Sequence, residues 1–281
     1  SMDSRQVYRG MDIGTAKATP AQRARVPHHG LDLVDPDERY SAGRFAADAR
    51  RWIAAIRGRG HVPILVGGTG FFLRALTRPL FREPALPAER RAALEAFLRR
   101  QPTPELSRWL RVLDPAGASA FEHWGGRQRI LRALEVVLLT GYPLAWWHEH
   151  SPASEPPLEA LAFVLDLPRP ELYRRIDERV LAMVDAGLVA EVDGLLARGF
   201  GPDAPGMSAT GYAEMIPFLR GERTLEQAID DIQRATRRYA RRQLTWFRNQ
   251  LPPGAVWLDA TRPPAELVQE IVEQWQAQSA S

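Results

Sequence analysis

His61-Val62-Pro63-Ile64-Leu65-Val66-Gly67-Gly68-Thr69-Gly70-Phe71-Phe72 is the stretch that decides the fold. An apolar run closed by a small-residue turn is the pattern of a buried parallel strand, here expected over His61 to Gly68. The segment before it, Ser41 to Arg57, has helical spacing. Phe45, Ala46, Ala49, Trp52, Ile53 and Ile56 share one face, and Ser41 is placed to cap the first turn. Before that, Gly30 to Asp35 reads as a short strand or strand end. Strand, helix and strand in this order argue for an α/β sheet. Thr69 then sits where the strand meets the next helix, at the end of a sheet where ligands bind. Gly67, Gly68 and Gly70 let backbone approach a ligand closely, although a tight turn with a capping Thr gives the same pattern.

Beyond Pro84 the pattern changes. Residues 87–140 read as helices over roughly 87–100, 104–113, 115–122 and 126–140, with Pro and Gly breaks and no strand between them. This is a helical insertion in an α/β core, which divides the chain into 1–82, 83–140 and 141–281. Residues 148–158 form a Ser-, Pro- and Glu-rich surface loop. Leu161 to Leu167 returns to a strand, and Glu171 to Arg198 is helical with a break near Gly187. Ala255 to Leu258 is a last strand, and residues 264–277 a last helix.

Composition narrows the function. The 281 residues have 45% hydrophobic and 25% charged content, ordinary for a globular protein. With no cysteine there is no disulfide, thiolate metal site or Cys nucleophile. No His, Asp and Glu spacing suggests a structural metal. No apolar run of roughly 18 residues and no leader pattern is present, so a cytoplasmic location off the membrane is expected. The net charge is only +3, so affinity for a polyanion has to come from where charges sit. Lys17 is the one lysine among 37 basic residues, which leaves 36 arginines, whose forks grip phosphate bidentately and stack on bases.

Two helices concentrate those arginines. Over Thr224 to Arg248, helical spacing puts Arg234, Arg237, Arg238, Arg241, Arg242 and Arg248 on one side, and Leu225, Ile229, Ile232, Tyr239 and Trp246 on the other. A solvated charge face is the default for such a pattern. Such a face usually mixes acids with bases, whereas here no acid follows Asp231 until Asp259. That asymmetry points to phosphate or RNA. The second helix, Arg127 to Glu135, puts Arg129 and Arg132 one turn apart over a stripe of Ile130, Leu134 and Val137. Taken alone it is an ordinary amphipathic helix.

Three segments together resemble one enzyme family: Asp3-Ser4-Arg5-Gln6 with the Gly- and Asp-rich stretch to Lys17, Val66-Gly67-Gly68-Thr69-Gly70, and Thr236-Arg237-Arg238-Tyr239-Ala240-Arg241-Arg242-Gln243-Leu244-Thr245-Trp246-Phe247-Arg248. The chain is similar, over nearly its whole length, to the bacterial tRNA dimethylallyltransferases. That resemblance implies a P-loop NTPase-like parallel sheet core with a mostly helical insertion domain. It implies transfer of dimethylallyl from dimethylallyl diphosphate to N6 of the adenine on the 3′ side of a tRNA anticodon. It implies Mg²⁺ at the leaving diphosphate and a monomer as the working form. An adenine amine is a poor nucleophile, and Asp3 takes the place of the family's general base. Thr69 and Arg91 take places near the reacting groups. Asp3, Ser4, Arg5, Gln6, Gln128, Arg129, Arg132, Gly211, Tyr212, Arg237, Arg238, Arg241, Arg242 and Arg248 take places along the tRNA. Ala209 stands where the family often has a larger polar residue, and Gly125-Gly126 stand where it has polar residues ahead of the second basic helix.

One departure shapes the expectation. These residues contain no Gly-x-x-x-x-Gly-Lys-Ser/Thr loop, the element that cradles diphosphate in the family. The first βα unit of the fold is therefore expected to be missing, with the cofactor-binding and metal-holding residues left unassigned. Two other readings stand beside the enzyme. One is a tRNA-binding fragment without prenyl transfer. The other is a small-nucleotide prenyltransferase or kinase, which would not need two separate Arg faces.

Overall fold

The computed structural model describes residues 1–78, 86–124, 126–151, 155–252 and 254–279. The chain divides into two compact units, one of Ser1–Arg78 with Leu158–Ser281, the other Pro79–Pro157. The helical insertion is thus wider than residues 83–140. Its expected junction at 82–83, Gly125 and part of the expected 148–158 loop lie outside the described residues.

The larger unit begins with irregular backbone tied by polar groups. Leu33 and Val34 donate N–H groups to the Val7 carbonyl at 2.7 and 3.1 Å, and Tyr8 bridges Val34 in parallel. The strand expected over Gly30 to Asp35 is therefore one bridge long. Helix α1 (Pro20–Arg25) follows, opened by a Thr19–Gln22 capping box. Helix α2 (Ala42–Arg57) has Ser41 as N-cap, its hydroxyl accepting the Arg44 N–H, and buries Phe45, Ala49 and Ile53. Helix α3 (Gly70–Thr77) packs on α2, with Phe72 stacked on Phe45 at 4.2 Å between ring centroids.

The insertion carries α4 (Ala88–Arg100), α5 (Thr103–Leu113), α6 (Pro115–Trp124), α7 (Arg127–Thr140) and α8 (Leu144–His150). Leu98, Leu106, Leu110, Ala133 and Leu134 form its core. The stripe of Ile130, Leu134 and Val137 is buried as its spacing requires. Arg127 binds the chain across this core: it donates to the Thr103 hydroxyl and to the carbonyls of Arg99 and Gln101.

The chain re-enters the larger unit where the Leu158 N–H donates to the Leu76 carbonyl at 2.9 Å. Strand β1 (Phe163–Asp166) pairs in parallel with β2 (Val256–Asp259), Phe163 opposite Val256. Between them run α9 (Arg169–Asp185), α10 (Leu188–Ala197), α11 (Tyr212–Leu219) and α12 (Leu225–Gln250); α13 (Pro264–Ser279) follows β2. Gly187, at φ +104°, is the break between α9 and α10. The core here joins Met11, Val34, Leu188, Met207, Tyr212 and Met215, all fully buried.

One expectation fails. His61 to Gly68 joins no strand of the sheet and is not buried: Val62 is 50% exposed, Ile64 79% and Val66 69%. A ladder needs partners, and among the described residues only Met2 supplies them, donating to the Val66 carbonyl at 2.7 Å and accepting the Thr69 N–H at 3.3 Å. The sheet among the described residues is two strands, less than the run's hydrophobicity suggested. No helix among them is long and apolar enough to cross a membrane.

Candidate active site

The site is built on the turn at Asp3. Its Oδ1 accepts the Arg5 N–H at 2.7 Å and the Gln6 N–H at 3.4 Å, a side chain closing its own turn. Among the described residues no partner faces Oδ2. Beside it, the Ser4 N–H donates to Thr69 Oγ1 at 3.0 Å, and the Thr69 hydroxyl lies 3.3 Å from Ser4 Oγ. Asp3 and Thr69, far apart in sequence, are therefore brought together.

The Gly67–Gly70 turn is clamped from the other side by α12. Gln243 Nε2 donates to the Gly68 carbonyl at 2.9 Å. A Cβ on Gly68 would lie 2.0 Å from that nitrogen, and a Cβ on Gly70 would lie 2.3 Å from the Trp246 ring. These glycines are required by close approach, and Gln243 and Trp246 are site residues that sequence reasoning missed. Their signal is their place in the Arg-rich segment, where spacing puts Trp246 on the side opposite the arginines.

On the next face of α12, Arg241, Leu244, Thr245 and Arg248 line a cavity of about 660 Å³. The carboxyl ends of β1 and β2 close it with Asp166 and Asp259, and the start of α9 with Arg169 and Tyr173. Trp257 forms another wall, with the Arg248 guanidinium 6.0 Å from its ring centroid. Among the described residues no carboxylate pairs with Arg169, Arg241 or Arg248. The cavity thus offers apolar walls, three arginines and two aspartates at the strand carboxyl ends.

The other expected residues divide by what their side chains do. Arg238, Arg241, Arg242 and Arg248 stand on α12 and pair with no carboxylate among the described residues. Tyr239, expected in the core, is 39% exposed and lies under Arg242. Arg237 is committed elsewhere: it donates to both Asp177 oxygens at 2.8 Å and sits over Tyr173. Arg234 pairs with Asp231 at 2.6 Å. Arg5 donates to the Pro205 carbonyl and Ser208 hydroxyl, which leaves only part of its fork for RNA. The Gln6 amide is fully used, donating to the Thr15 and Ala16 carbonyls and accepting from the Ser1 hydroxyl. Tyr212 is fully buried and its hydroxyl donates to Glu191, so its ring is a strut behind the surface rather than an RNA contact. Gly211, at φ +99°, gives its N–H to Glu214, whose carboxyl burial pushes up.

In the insertion, Gln128 and Arg129 are both exposed. Arg91 and Arg132 both pair with the buried Glu135, at 2.5 and 2.8 Å. Glu135 therefore fixes two of the expected cations in one place.

Comparisons with known proteins fit this architecture. Residues 6–250 match the family model IPPT, IPP transferase. The tRNA dimethylallyltransferase of Syntrophobacter fumaroxidans is 48% identical over 259 residues, covering 92% of this chain and 75% of that one. The tRNA dimethylallyltransferase of Geobacter sulfurreducens is 46% identical over 257 residues, covering 92% and 82%. The crystal structure of the full-length tRNA isopentenylpyrophosphate transferase of Bacillus halodurans superposes with TM-score 0.68 at 39% identity, covering 98% of this chain and 86% of that one. A eukaryotic dimethylallyltransferase solved acting on tRNA superposes with TM-score 0.75 at 28% identity, covering 92% and 66%. The fold is that of the P-loop NTPase-like transferases. Within that class, the chain belongs to the IPP transferase family, the tRNA dimethylallyltransferases.

Proposed function

We propose that this chain transfers a dimethylallyl group from dimethylallyl diphosphate to N6 of the adenine on the 3′ side of a tRNA anticodon, as a cytoplasmic monomer. The observation that carries the reading is the Asp3 turn. One carboxylate oxygen is fixed by backbone N–H groups, the other meets no partner among the described residues, and Thr69 is held beside the turn by the Ser4 N–H.

In this reaction N6 forms a bond to C1 of the allyl group as the C1–O bond to diphosphate breaks. N6 must lose a proton as that bond forms, and Asp3 Oδ2 is the acceptor. Holding the turn rigid spares the orientational cost of bringing base and nucleophile together. The leaving diphosphate takes the electron pair of the broken bond. We assign its charge to Arg169, Arg241 and Arg248, which line the cavity together with Leu172, Leu244 and Trp257, the apolar walls for the allyl group. Outside the pocket, Arg238 and Arg242 carry the RNA backbone. The insertion domain adds Gln128 and Arg129.

Mg²⁺ fits only as an ion carried largely by the diphosphate. No three His, Asp or Glu side chains come together among the described residues, but Asp166 and Asp259 each line the cavity. Mg²⁺ commonly takes one or two carboxylates and fills its shell from phosphate and water. Those two aspartates would hold it, and it would supply neutralisation of the leaving charge.

The test is incubation of the purified chain with tRNA, Mg²⁺ and radiolabelled dimethylallyl diphosphate, beside its Asp3→Asn variant. Label on adenine N6 with the parent and loss with the variant supports the reading. Saturable tRNA binding with no label overturns transfer and leaves tRNA binding as the chain's activity.

A further inference from the structure

Glu191 stands in the first turn of α10 and is not needed to hold that helix. Leu188, Val192 and Leu195 do so, at 0%, 0% and 2% exposure. Its carboxylate instead gathers the N–H groups of three consecutive residues. Oε2 accepts from Asp12 at 2.9 Å and Ile13 at 2.8 Å, and Oε1 accepts from Gly14 at 3.1 Å. Successive N–H groups turned to one point make an anion nest, and here the anion is built in. The Tyr212 hydroxyl also donates to Oε1. Burial, with the Glu191 charge beside it, pushes the Tyr212 hydroxyl far up, so it remains a donor. A Cβ on Gly14 would lie 2.5 Å from the Tyr212 ring, which leaves the loop no freedom on that side.

The loop is pinned at its other end by Lys17. Its Nζ donates to the Tyr8 carbonyl at 2.5 Å and pairs with Asp12 at 2.8 Å and Asp32 at 2.5 Å. Between the pins, the Thr15 and Ala16 carbonyls receive Gln6 Nε2 at 3.0 and 3.2 Å. Gln6 is the last residue of the Asp3 turn, and its own N–H reaches Asp3 Oδ1 at 3.4 Å. A continuous path of hydrogen bonds thus runs from Glu191 through the Asp12–Lys17 loop and Gln6 to Asp3.

We infer that Glu191 is a positioning residue: with the Tyr212 hydroxyl it fixes the loop that braces Gln6, and so aims the Asp3 carboxylate at the adenine amine. Both of its oxygens are engaged by the loop, so its effect on RNA passes through Asp3. The inference rests on Asp3 as the group that meets the amine.

The experiment measures binding of two anticodon-loop hairpin RNAs, one with adenine at the target position and one with purine ribonucleoside, which lacks the amine. The parent should prefer the adenine hairpin, and Asp3→Asn should reduce that preference by about tenfold, the worth of a hydrogen bond to a charged acceptor. Glu191→Ala should reduce it as much, with affinity for the purine hairpin within about twofold, and the Asp3→Asn, Glu191→Ala double variant should lose nothing more. Glu191→Gln, which keeps one accepting oxygen, and Tyr212→Phe should each keep part of the preference. These two carry the test if Glu191→Ala does not fold. If Asp3→Asn loses the preference while Glu191→Ala, Glu191→Gln and Tyr212→Phe all keep it, Glu191 is only a structural tie. If Asp3→Asn itself keeps the preference, the role of Asp3 falls, and this inference with it.

Discussion

Asp3 shows how little of a residue's role lies in its own identity. An aspartate in a polar, Gly- and Arg-rich stretch is ordinarily a solvated group. Here it closes a turn and accepts two N–H groups through one oxygen, while the other meets no partner among the described residues. Asp3→Asn preserves that shape and removes the proton acceptor. A loss of roughly 10²–10⁴ in single-turnover prenyl transfer is expected, with affinity for an anticodon hairpin lacking the adenine amine little changed. The glycines opposite it work by volume. Gly70→Ala drives a methyl group into the Trp246 ring and should cost about 1–3 kcal/mol in urea unfolding. Gly201→Ala, where nothing lies within 4 Å, is the control and should stay within about 0.5 kcal/mol of the parent.

Helix α12 does three jobs along 26 residues. Its first half packs Ala228, Ile232 and Ala235 into the core, Gln243 and Trp246 clamp the Gly-Gly-Thr turn, and arginines without a carboxylate partner among the described residues face outward. Changing Arg238, Arg241 and Arg242 to Ala should weaken tRNA binding. It should also flatten the salt dependence by about 0.7–0.9 in slope for each phosphate that no longer meets an arginine. Arg237→Ala should leave that slope intact and instead lower the unfolding temperature, because its charge is already spent on Asp177. Measured slopes that fall equally for both variants would mean the Asp177 pair opens on RNA. This helix was legible from its spacing, as α2 was from its spacing and Ser41 and α4 to α7 from their Pro and Gly breaks. What spacing could not give was each polar side chain's partner. Arg237, Gln6 and Tyr212 read as RNA contacts because nothing in the linear pattern reveals Asp177, Thr15 or Glu191 beside them. The short helices α1, α8 and α11 were missed for another reason: six to eight residues hold too few turns for a periodic signal, and Pro217 inside α11 reads as a breaker.

At the scale of the whole molecule, hydrophobicity was the signal that misled. His61 to Val66 is apolar enough for a sheet interior, yet Val62, Ile64 and Val66 are exposed at alternate positions, as Leu165 of β1 is at 61%. A run's composition states what it can bury, while burial itself requires a neighbour to pair with. Exposed extended segments of this kind are templates for pairing with another chain. At concentrations well above those at which the monomer works, the chain should therefore self-associate, seen as growth in scattering mass. The formal net charge of +3 gives little repulsion to oppose this. Ile64→Lys puts a charge in the middle of the run at a side chain already 79% exposed. It should lower association strongly while leaving the unfolding temperature unchanged, since little burial is given up. A matched change at a buried position, Leu76→Lys, should instead unfold the chain. Association that persists in Ile64→Lys with an unchanged unfolding temperature would move the sticky surface away from this run, with exposed Leu165 the next residue to test.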